Sequence, residues 1–319
     1  MCDEEERVNF GGLLLFAVAT FVAAPFVVTA AAARFIGARD KEQLLDLAAM
    51  TGITAPLVLS LVLSFLYTGT ALLPEAARQT VAQPAAVAIV LLTIIIIAAY
   101  GRQQMTSVTR VMADAVRALR PPRSVLGWIA LALVVFALVQ AASLAVMEND
   151  ALEYAAVAKY ILREGSLASY PVVKADPQTG LFAPSSHPPA YHMLLVWGFA
   201  TGGTESMAPL RITALYFILA ITFLMVRILR LTPSPALGVS LLFATPLFVS
   251  MSVSYHIDAM RITAFTAACA MAVEFIRRPS WKEAVLAGYA LGLALYAHSI
   301  GILAIPLTGI AFLVLADIP

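Results

Sequence analysis

The sequence predicts an all-α, polytopic membrane protein, built as a bundle of transmembrane helices. Of its 319 residues, 61% are hydrophobic and 12% are charged, a balance far more apolar than that of a soluble domain. Mean hydropathy is +0.89, and several apolar runs reach the roughly 20 residues that a bilayer span requires. Because backbone polar groups in a bilayer must be satisfied within their own segment, these runs are predicted to be helices.

The apolar runs give about nine predicted spans. A shorter run, 189–202, falls between the fourth and fifth spans and is too short to cross a bilayer. The last two of the nine are also short for a full crossing. The nine runs cover residues 10–33, 50–73, 82–100, 125–147, 208–230, 235–253, 259–276, 283–297 and 300–316.

Basic residues orient these spans. The loop 101–124 carries five arginines, with Asp114 as its only acid, so the positive-inside rule places it in the cytoplasm. The other basic clusters assigned to the cytoplasmic side are at 34–41, 227–230 and 277–282. The net charge of +1 gives no sign of nucleic-acid binding, and the two cysteines form no metal-ligand pattern.

The orientation fixes the position of the segment between the fourth and fifth spans. Helix 125–147 runs outward, so the loop 148–188 is extracytoplasmic, and helix 208–230 must also begin on that side. Segment 189–202 cannot cross the membrane once and satisfy both ends. We therefore predict a re-entrant or juxtamembrane helix there.

The loop 148–188 has two parts. Residues 150–164 have helical composition with apolar residues roughly on one side, which predicts an amphipathic helix along the membrane interface. Residues 166–188 are rich in proline and glycine, which is typical of an irregular loop.

Ionisable residues converge on the extracytoplasmic side of the predicted bundle. The four histidines of the chain all fall on or near that side, together with two acids and an arginine that begin predicted helices. Ionisable groups at membrane depth are costly and usually functional, so this convergence predicts a functional site. The residues are Asp150, His187, His192, Arg211, His256, Asp258 and His298.

Each of these residues also has a structural interpretation. Asp150 and Glu153 form an Asp-x-x-Glu pattern, which is typical of a capping box at a helix beginning. Asp258 also stands at a predicted helix end, and Arg211 is placed to anchor a helix at the interface. Capping and catalysis both stay open for Asp150, and the two roles are compatible.

Five segments resemble, in family order, motifs of the GT-C membrane glycosyltransferases, in the protein O-mannosyltransferase and aminoarabinose-transferase branch. Segment 150–158 (DALEYAAVA) resembles the first-loop motif, in which Tyr-Ala follows an Asp by four residues. Segment 186–191 (SHPPAY) resembles the His-Pro-Pro or Lys-Pro-Pro element that closes this loop. The others are 208–211 (APLR), similar to the Arg-bearing start of the next helix; 255–261 (YHIDAMR), similar to the second-loop motif; and 288–299 (GYALGLALYAHS), similar to a later helix pair.

The resemblance divides the chain and also marks where it departs from the family. Residues 125–319 correspond to a GT-C-like catalytic core, expected to be C-terminally incomplete, and residues 1–124 to accessory helices with a basic cytoplasmic loop. Ser186 stands where some bacterial relatives have an acid, which puts their type of metal binding in doubt. His187 stands where those relatives have a lysine that contacts donor phosphate.

The resemblance implies transfer of a sugar from a polyprenyl-phosphate donor to a lipid, glycan or protein acceptor. The reaction is expected at the extracytoplasmic face of a bacterial inner (plasma) membrane. Such a transfer needs a base for the acceptor hydroxyl and positive charge for the departing phosphate.

The candidate roles follow from this chemistry and from the resemblance. Asp150, at a helix beginning, is the candidate catalytic base. The remaining candidates are His187, Arg211 and Arg261 for the donor phosphate; Glu148, His256, Asp258 and His298 for a divalent metal (Mn, Mg or Zn) or for orienting the acceptor; and Tyr154 and His192 for contact with the loop or substrate.

Two other classes of protein stay open. The chain is alternatively a non-catalytic GT-C-like membrane subunit, or a transporter of a small molecule or lipid. A transporter predicts charges near helix centres and paired broken helices. Here the helix centres are nearly free of charge, which favours the transferase.

Overall fold

A computed structural model describes residues 9–117, 121–144, 149–167, 170, 172–176, 181–184, 187–204, 206–232 and 234–315. Helices dominate, as the sequence predicts. They are α1 (Phe10–Val18), α2 (Ala24–Ile36), α3 (Lys41–Met50), α4 (Ala55–Thr70), α5 (Glu75–Arg117), α6 (Val125–Ser143), α7 (Asn149–Glu164), α8 (Ala190–Gly202), α9 (Ala208–Ile228), α10 (Pro235–Ala244), α11 (Pro246–Val253), α12 (Asp258–Arg277), α13 (Trp281–Ala297) and α14 (Ala304–Leu315).

Within the described residues, six helical stretches are long and apolar enough to cross a membrane, and a bent pair brings the number to seven. The six are Phe10–Ile36, Lys41–Thr70, Glu75–Arg117, Val125–Ser143, Ala208–Ile228 and Asp258–Arg277. The last two of the nine predicted spans correspond to α13, with 17 residues, and α14, with 12. Both are shorter than a bilayer span.

The apolar run 235–253 does not form one straight helix. Helices α10 and α11 meet at an angle of 72°. The break lies at Thr245, whose backbone is extended (ψ 109°), directly before Pro246. Proline lacks an N–H and disfavours helical backbone in the residue before it, which accounts for the bend.

Two predictions about loops were wrong. The basic segment 101–124 is not a loop throughout, because α5 continues to Arg117 as one helix of 43 residues. The segment 166–188 is not wholly irregular, because β1 (Val172–Asp176) pairs antiparallel with β2 (Leu181–Pro184). The β-branched and aromatic residues in these two short runs favour strands, despite the surrounding prolines.

Helix α8, the predicted re-entrant or juxtamembrane segment, lies at the centre of the bundle. All 13 of its residues are buried, and it packs against α1, α4, α5, α7 and α9. A helix of this length spans about 20 Å, too short for a full crossing. Helix α8 is accordingly not one of the six candidate spans of the described residues, and the choice between a re-entrant and a juxtamembrane helix stays a prediction.

The ends of α8 are tied to helices from the N-terminal part of the chain. At its beginning, Ser60 Oγ donates a hydrogen bond to the Ala190 carbonyl at 2.6 Å. At its end, Asn9 Nδ2 donates to the Thr201 carbonyl at 3.0 Å. Between them, Trp197 Nε1 donates to Thr20 Oγ1 at 2.9 Å. Residues 1–124 therefore form part of the wall around α8.

Helix α7 is amphipathic, as predicted, and its apolar side packs on α8. Ala151, Tyr154, Ala155, Ala158 and Ile161 are all buried. These positions recur every three or four residues, so they share one face of the helix.

An ion cluster joins α3 to the end of α9, away from the α7–α8 pair. Arg227 Nη2 lies 2.7 Å from Asp46 Oδ1 and 2.8 Å from Glu42 Oε2. Arg230 Nη2 lies 2.8 Å from Asp46 Oδ2. Because the side chain of Arg227 is only 11% exposed, this cluster fixes α3 firmly against α9.

Candidate functional site

The centre of the site is a chain of three side chains in which one imidazole joins two carboxylates. His256 Nε2 lies 3.1 Å from Asp150 Oδ2, and His256 Nδ1 lies 3.2 Å from Asp258 Oδ2. Arg261 Nη2 contacts the other carboxylate oxygen of Asp258. Residues from α7, α12 and the turn before α12 thus meet, although Asp150 and Asp258 are far apart in the sequence.

The three side chains differ in solvent exposure, so the group has an inner end and an outer end. The side chain of Asp258 is 5% exposed, that of His256 13%, and that of Asp150 53%. Asp258 and Arg261 lie one turn apart on α12, so their pairing is local. Asp150 is the carboxylate that a substrate can reach, while Asp258 is enclosed beneath it.

Aromatic rings surround the carboxylates on the α8 side. The Tyr154 ring lies edge-on to His187, Tyr191, His192 and His256, with centroids 6.0, 5.5, 5.6 and 5.9 Å away. Tyr154 follows Asp150 by one helical turn, which places both on the same side of α7. The predicted pair Asp150 and Tyr154 therefore faces one site.

Two histidine rings lie against each other at a tilt of 42° near this ring. The ring centroids of His187 and His298 lie 4.8 Å apart, although the residues come from the loop before α8 and from the end of α13. Tyr170 contacts this pair through a hydrogen bond from its hydroxyl to the His187 carbonyl.

Both of these imidazoles are held toward their neutral form. Burial, and then the nearby Arg261 guanidinium, lower the pKa of His187 below its ordinary value. Burial, Arg261 and His187 lower the pKa of His298 in the same way. A neutral imidazole donates one hydrogen bond and accepts another, so each ring keeps an N–H for a ligand or neighbour.

Three helices begin at this site. Asp150 is the second residue of α7, His187 precedes α8 by three residues, and Asp258 is the first residue of α12. The Tyr154 ring contacts both His187 and His256, and His256 contacts Asp150 and Asp258, so the three beginnings lie close together. Helix N-termini carry partial positive charge and unpaired N–H groups, so their convergence favours an anionic ligand.

The site is recessed below the end of α4. Tyr296 OH, two residues before His298, lies 2.9 Å from Ser60 Oγ and 2.6 Å from Ser64 Oγ. Helix α4 continues to Thr70, which is about 9 to 15 Å further along its axis. Tyr296, and with it the end of α13, therefore packs beside the middle of α4 and not at its end.

Arg211 lies beside this centre, at the end of α6. Its guanidinium donates long hydrogen bonds to the Ala142 and Leu144 carbonyls, at 3.4 and 3.3 Å. These contacts are typical of a cation that caps a helix C-terminus. Phosphate binding by Arg211 stays a prediction.

The remaining predicted residues have different positions. His192 is completely buried on α8, with its ring 5.6 Å from Tyr154 and 5.8 Å from Tyr170, so it supports the Tyr154 ring from behind. Glu148 falls outside the described residues.

The described side chains do not fit a metal ion. No group of three His, Cys, Asp or Glu residues converges on one position within the described ranges. His256 faces a carboxylate with each of its two nitrogens, whereas a metal ligand must direct one nitrogen lone pair at the ion. These contacts therefore do not support the prediction that His256, Asp258 and His298 bind a metal ion. The alternative prediction, that they orient the acceptor, stays open.

Sequence reasoning missed the tyrosines that support the site. Tyr191 OH donates to the Tyr255 carbonyl at 2.9 Å, and Tyr255 OH lies 2.7 Å from the Leu144 carbonyl. Buried tyrosines usually find such partners. The position of Tyr191 and Tyr255 next to candidate histidines was the one signal available in the sequence.

Comparison with known proteins gives no relative: no family model, no curated protein and no solved structure matches this chain.

Proposed function

We propose that this chain is a membrane glycosyltransferase that moves a sugar from a polyprenyl-phosphate donor to an acceptor hydroxyl. The observation that carries the proposal is the contact of His256 with both Asp150 and Asp258. These contacts end in an exposed carboxylate, at a point where three helix N-termini and two neighbouring histidines meet. A base and an anion-binding surface side by side are what sugar transfer from a phosphate leaving group requires.

Asp150 acts as the general base in this proposal. Its carboxylate takes the proton of an acceptor hydroxyl, and that oxygen forms a bond to the anomeric carbon of the sugar. The bond from that carbon to the phosphate oxygen breaks, and its electron pair leaves on the polyprenyl phosphate. His256 holds the Asp150 carboxylate in place, and Asp258 in turn holds the imidazole. Inversion at the anomeric carbon is expected from the family resemblance.

The donor phosphate lies against His187, His298 and Arg261 in this proposal. The Arg261 guanidinium lowers the pKa of both imidazoles, so its positive charge reaches the space that they border. Asp258 neutralises part of that charge in the resting protein. The N-termini of α7, α8 and α12 supply further positive potential without a formal charge.

A lipid-linked donor suits the surroundings of the site better than a water-soluble one. The site is recessed beside α4, and all of α8 beneath it is buried. A donor with a prenyl chain reaches such a depth laterally, from the bilayer. The lipid, glycan or protein nature of the acceptor is left open.

The orientation is also part of the proposal. Asp258 and Arg277 mark the two ends of α12, whose 20 residues extend about 30 Å. The basic ends of α9 and α12 face the cytoplasm by the positive-inside rule, so Asp258 lies on the extracytoplasmic side. The expected location is a bacterial inner membrane.

A transporter is the second candidate, because two features of the bundle are typical of transporters. The α10–α11 span is broken by 72°, and α8 is a half-length helix with its N-terminus directed at an ionisable cluster. The charges of the candidate site, however, lie in the first turn of their helices and not at mid-helix: Asp150 in α7, and Asp258 and Arg261 in α12.

The test is chemical conversion by the purified chain in liposomes. Polyprenyl-phosphate sugars are supplied together with acceptors from membranes that lack this chain. The proposal expects a glycosylated product and an equal amount of released polyprenyl phosphate. Movement of the donor across the liposome membrane without conversion would establish the transporter, and no conversion with any donor would overturn the proposal.

A further inference from the structure

A tyrosine stands next to His256 at a position where helices normally have glycine. Helix α11 ends at Val253, and the His256 N–H donates to the Met251 carbonyl at 3.2 Å. This is the long hydrogen bond of a Schellman C-cap, in which the residue before the donor has left-handed backbone. That residue is Tyr255, with φ of 64°.

The conformation of Tyr255 is unusual for its type. In the described part of the chain it is the one non-glycine residue with positive φ. Bulky residues rarely adopt this backbone, because their Cβ approaches the following carbonyl oxygen. A tyrosine in place of the preferred glycine indicates that its side chain has a specific role at this position.

The Tyr255 side chain is fixed at its far end. It is 1% exposed, and its hydroxyl lies 2.9 Å from the Ala141 carbonyl and 2.7 Å from the Leu144 carbonyl. Those carbonyls end α6, where a helix has no further backbone donors of its own. Tyr255 thereby ties the turn before α12 to the end of α6.

The backbone of Tyr255 is fixed as well. Its carbonyl accepts a hydrogen bond from Tyr191 OH at 2.9 Å, and Tyr191 is a fully buried residue of α8. The turn is thus held by α6 through the side chain and by α8 through the backbone. The next residue is His256, whose ring must reach Asp150 and Asp258 at the same time.

We infer that Tyr255 is a positioning residue, which exists to hold the His256 imidazole between Asp150 and Asp258. Tyr191 is its partner in this role. The catalytic consequence rests on the proposed function, but the placement of the imidazole does not. It can therefore be measured without any assay of sugar transfer.

The test follows the ring nitrogens of His256 by ¹⁵N NMR of the full chain in nanodiscs. The chain has four histidines, so single His→Gln variants assign each signal. Tyr255→Phe, Tyr255→Gly and Tyr191→Phe are expected to shift or split the His256 signals, while those of His192 stay in place. Tyr255→Phe is the sharpest variant, because it removes only the hydroxyl and keeps the buried ring, whereas Tyr255→Gly also leaves a cavity.

Tyr216→Phe is the matched control. Tyr216 OH donates to the Ile53 carbonyl at 2.9 Å, a bond of the same type elsewhere in the bundle. This variant is expected to lose thermal stability without moving the His256 signals. If the Tyr255 hydroxyl served only to satisfy the end of α6, Tyr255→Phe would lose thermal stability as Tyr216→Phe does and would leave the His256 signals unchanged. That result would overturn the inference.

Sugar transfer provides a second readout once an active donor is known. Misplacement of a reacting group by about 1 Å costs up to about 100-fold in rate, so Tyr255→Phe is expected to lower kcat and to leave the donor KM nearly unchanged. Altered His256 signals in a chain that transfers no sugar would refute the proposed function and keep the positioning role. Unaltered His256 signals in variants of a chain that does transfer sugar would refute the positioning role and keep the proposed function.

Discussion

Asp258 lies between His256 and Arg261, and binds both. One of its carboxylate oxygens is 3.2 Å from His256 Nδ1, and the other contacts Arg261. The side chain is almost completely enclosed, at 5% exposure, so neither partner can be replaced by bulk water. This pairing supports the inner end of the candidate site.

Substitution of Asp258 by Asn should therefore destabilise the protein strongly. Breaking a buried ion pair by removing one partner costs about 3 to 5 kcal/mol, because the other charge stays buried. Asp114→Asn is the control, since Asp114 pairs with Arg117 at 3.3 Å on the surface, where such pairs contribute about 0 to 1 kcal/mol. Thermal unfolding in detergent measures both. Equal losses would show that Asp258 is solvated.

Arg227 is also expected to be sensitive, although it lies far from the site in the ion cluster with Glu42 and Asp46. Arg227→Gln leaves Asp46 with Arg230 alone and should lower the free energy of unfolding by about 1.5 to 3 kcal/mol, through the loss of hydrogen bonds to charged groups. Arg278→Gln, which removes an exposed pair with Glu274, should cost less than about 1 kcal/mol. A stable Arg227→Gln protein would mean that α3 is not fixed to α9 by charge.

Gly198 tests the close packing of α8. A Cβ at this position would lie 2.5 Å from Pro209 Cβ and 3.2 Å from Phe16 Cζ. Gly198→Ala should therefore cost about 1 to 3 kcal/mol through overpacking. Gly288→Ala, at an exposed position of α13 with no atom within 4 Å of the added Cβ, should instead stabilise the protein by about 0.5 to 1 kcal/mol. Shifts of the same sign in thermal unfolding would contradict this packing.

Acid should destabilise the protein through His187 and His298. Burial and the Arg261 guanidinium lower the pKa of both histidines. They outweigh the nearby acids, which raise the pKa: Asp258 for both rings, and Asp150 and Glu153 for His187. The unfolded chain, with a histidine pKa of about 6.5, then binds protons that the folded chain excludes. Stability is therefore lost as the pH falls below about 6.5, and the loss levels off below the folded pKa values.

The pH prediction is checked by thermal unfolding between about pH 7.5 and 5, on either side of the histidine pKa. The double variant His187→Gln, His298→Gln should show a smaller loss over this range than the wild type. An identical loss in both proteins would mean that these imidazoles are not held neutral in the folded chain.

The helical class and the grouping of the central residues could be predicted from the sequence, because both depend on the hydropathy and the charges of individual segments. Hydropathy alone separates spans from loops, and the parity of basic clusters placed Asp150, His256 and Asp258 on one side of the bundle. That side is where the structure joins them through His256. The pairing itself was not predictable, because no spacing relates α7 to α12.

Other features depend on tertiary contacts that no pattern in one sequence encodes. The positive φ of Tyr255 exists because α6 and α8 hold both ends of the residue, whereas the local rule would require glycine. The contacts of Arg211 with the Ala142 and Leu144 carbonyls at the end of α6 were not predictable either, and phosphate binding by Arg211 stays a prediction. The extension of α5 to Arg117 was missed because basic residues were taken to indicate a loop, although arginine is a good helix former.

The measurement that tests the account most directly is single-turnover sugar transfer by Asp150→Asn at saturating donor. Asp150 is 53% exposed, so the variant should fold, insert and bind the polyprenyl-phosphate donor with nearly unchanged affinity. Loss of a general base should lower its transfer rate by about 100- to 10,000-fold. Glu153→Gln, one turn further along α7, should keep the wild-type rate. A wild-type rate in Asp150→Asn would contradict the central claim that this carboxylate is the catalytic base.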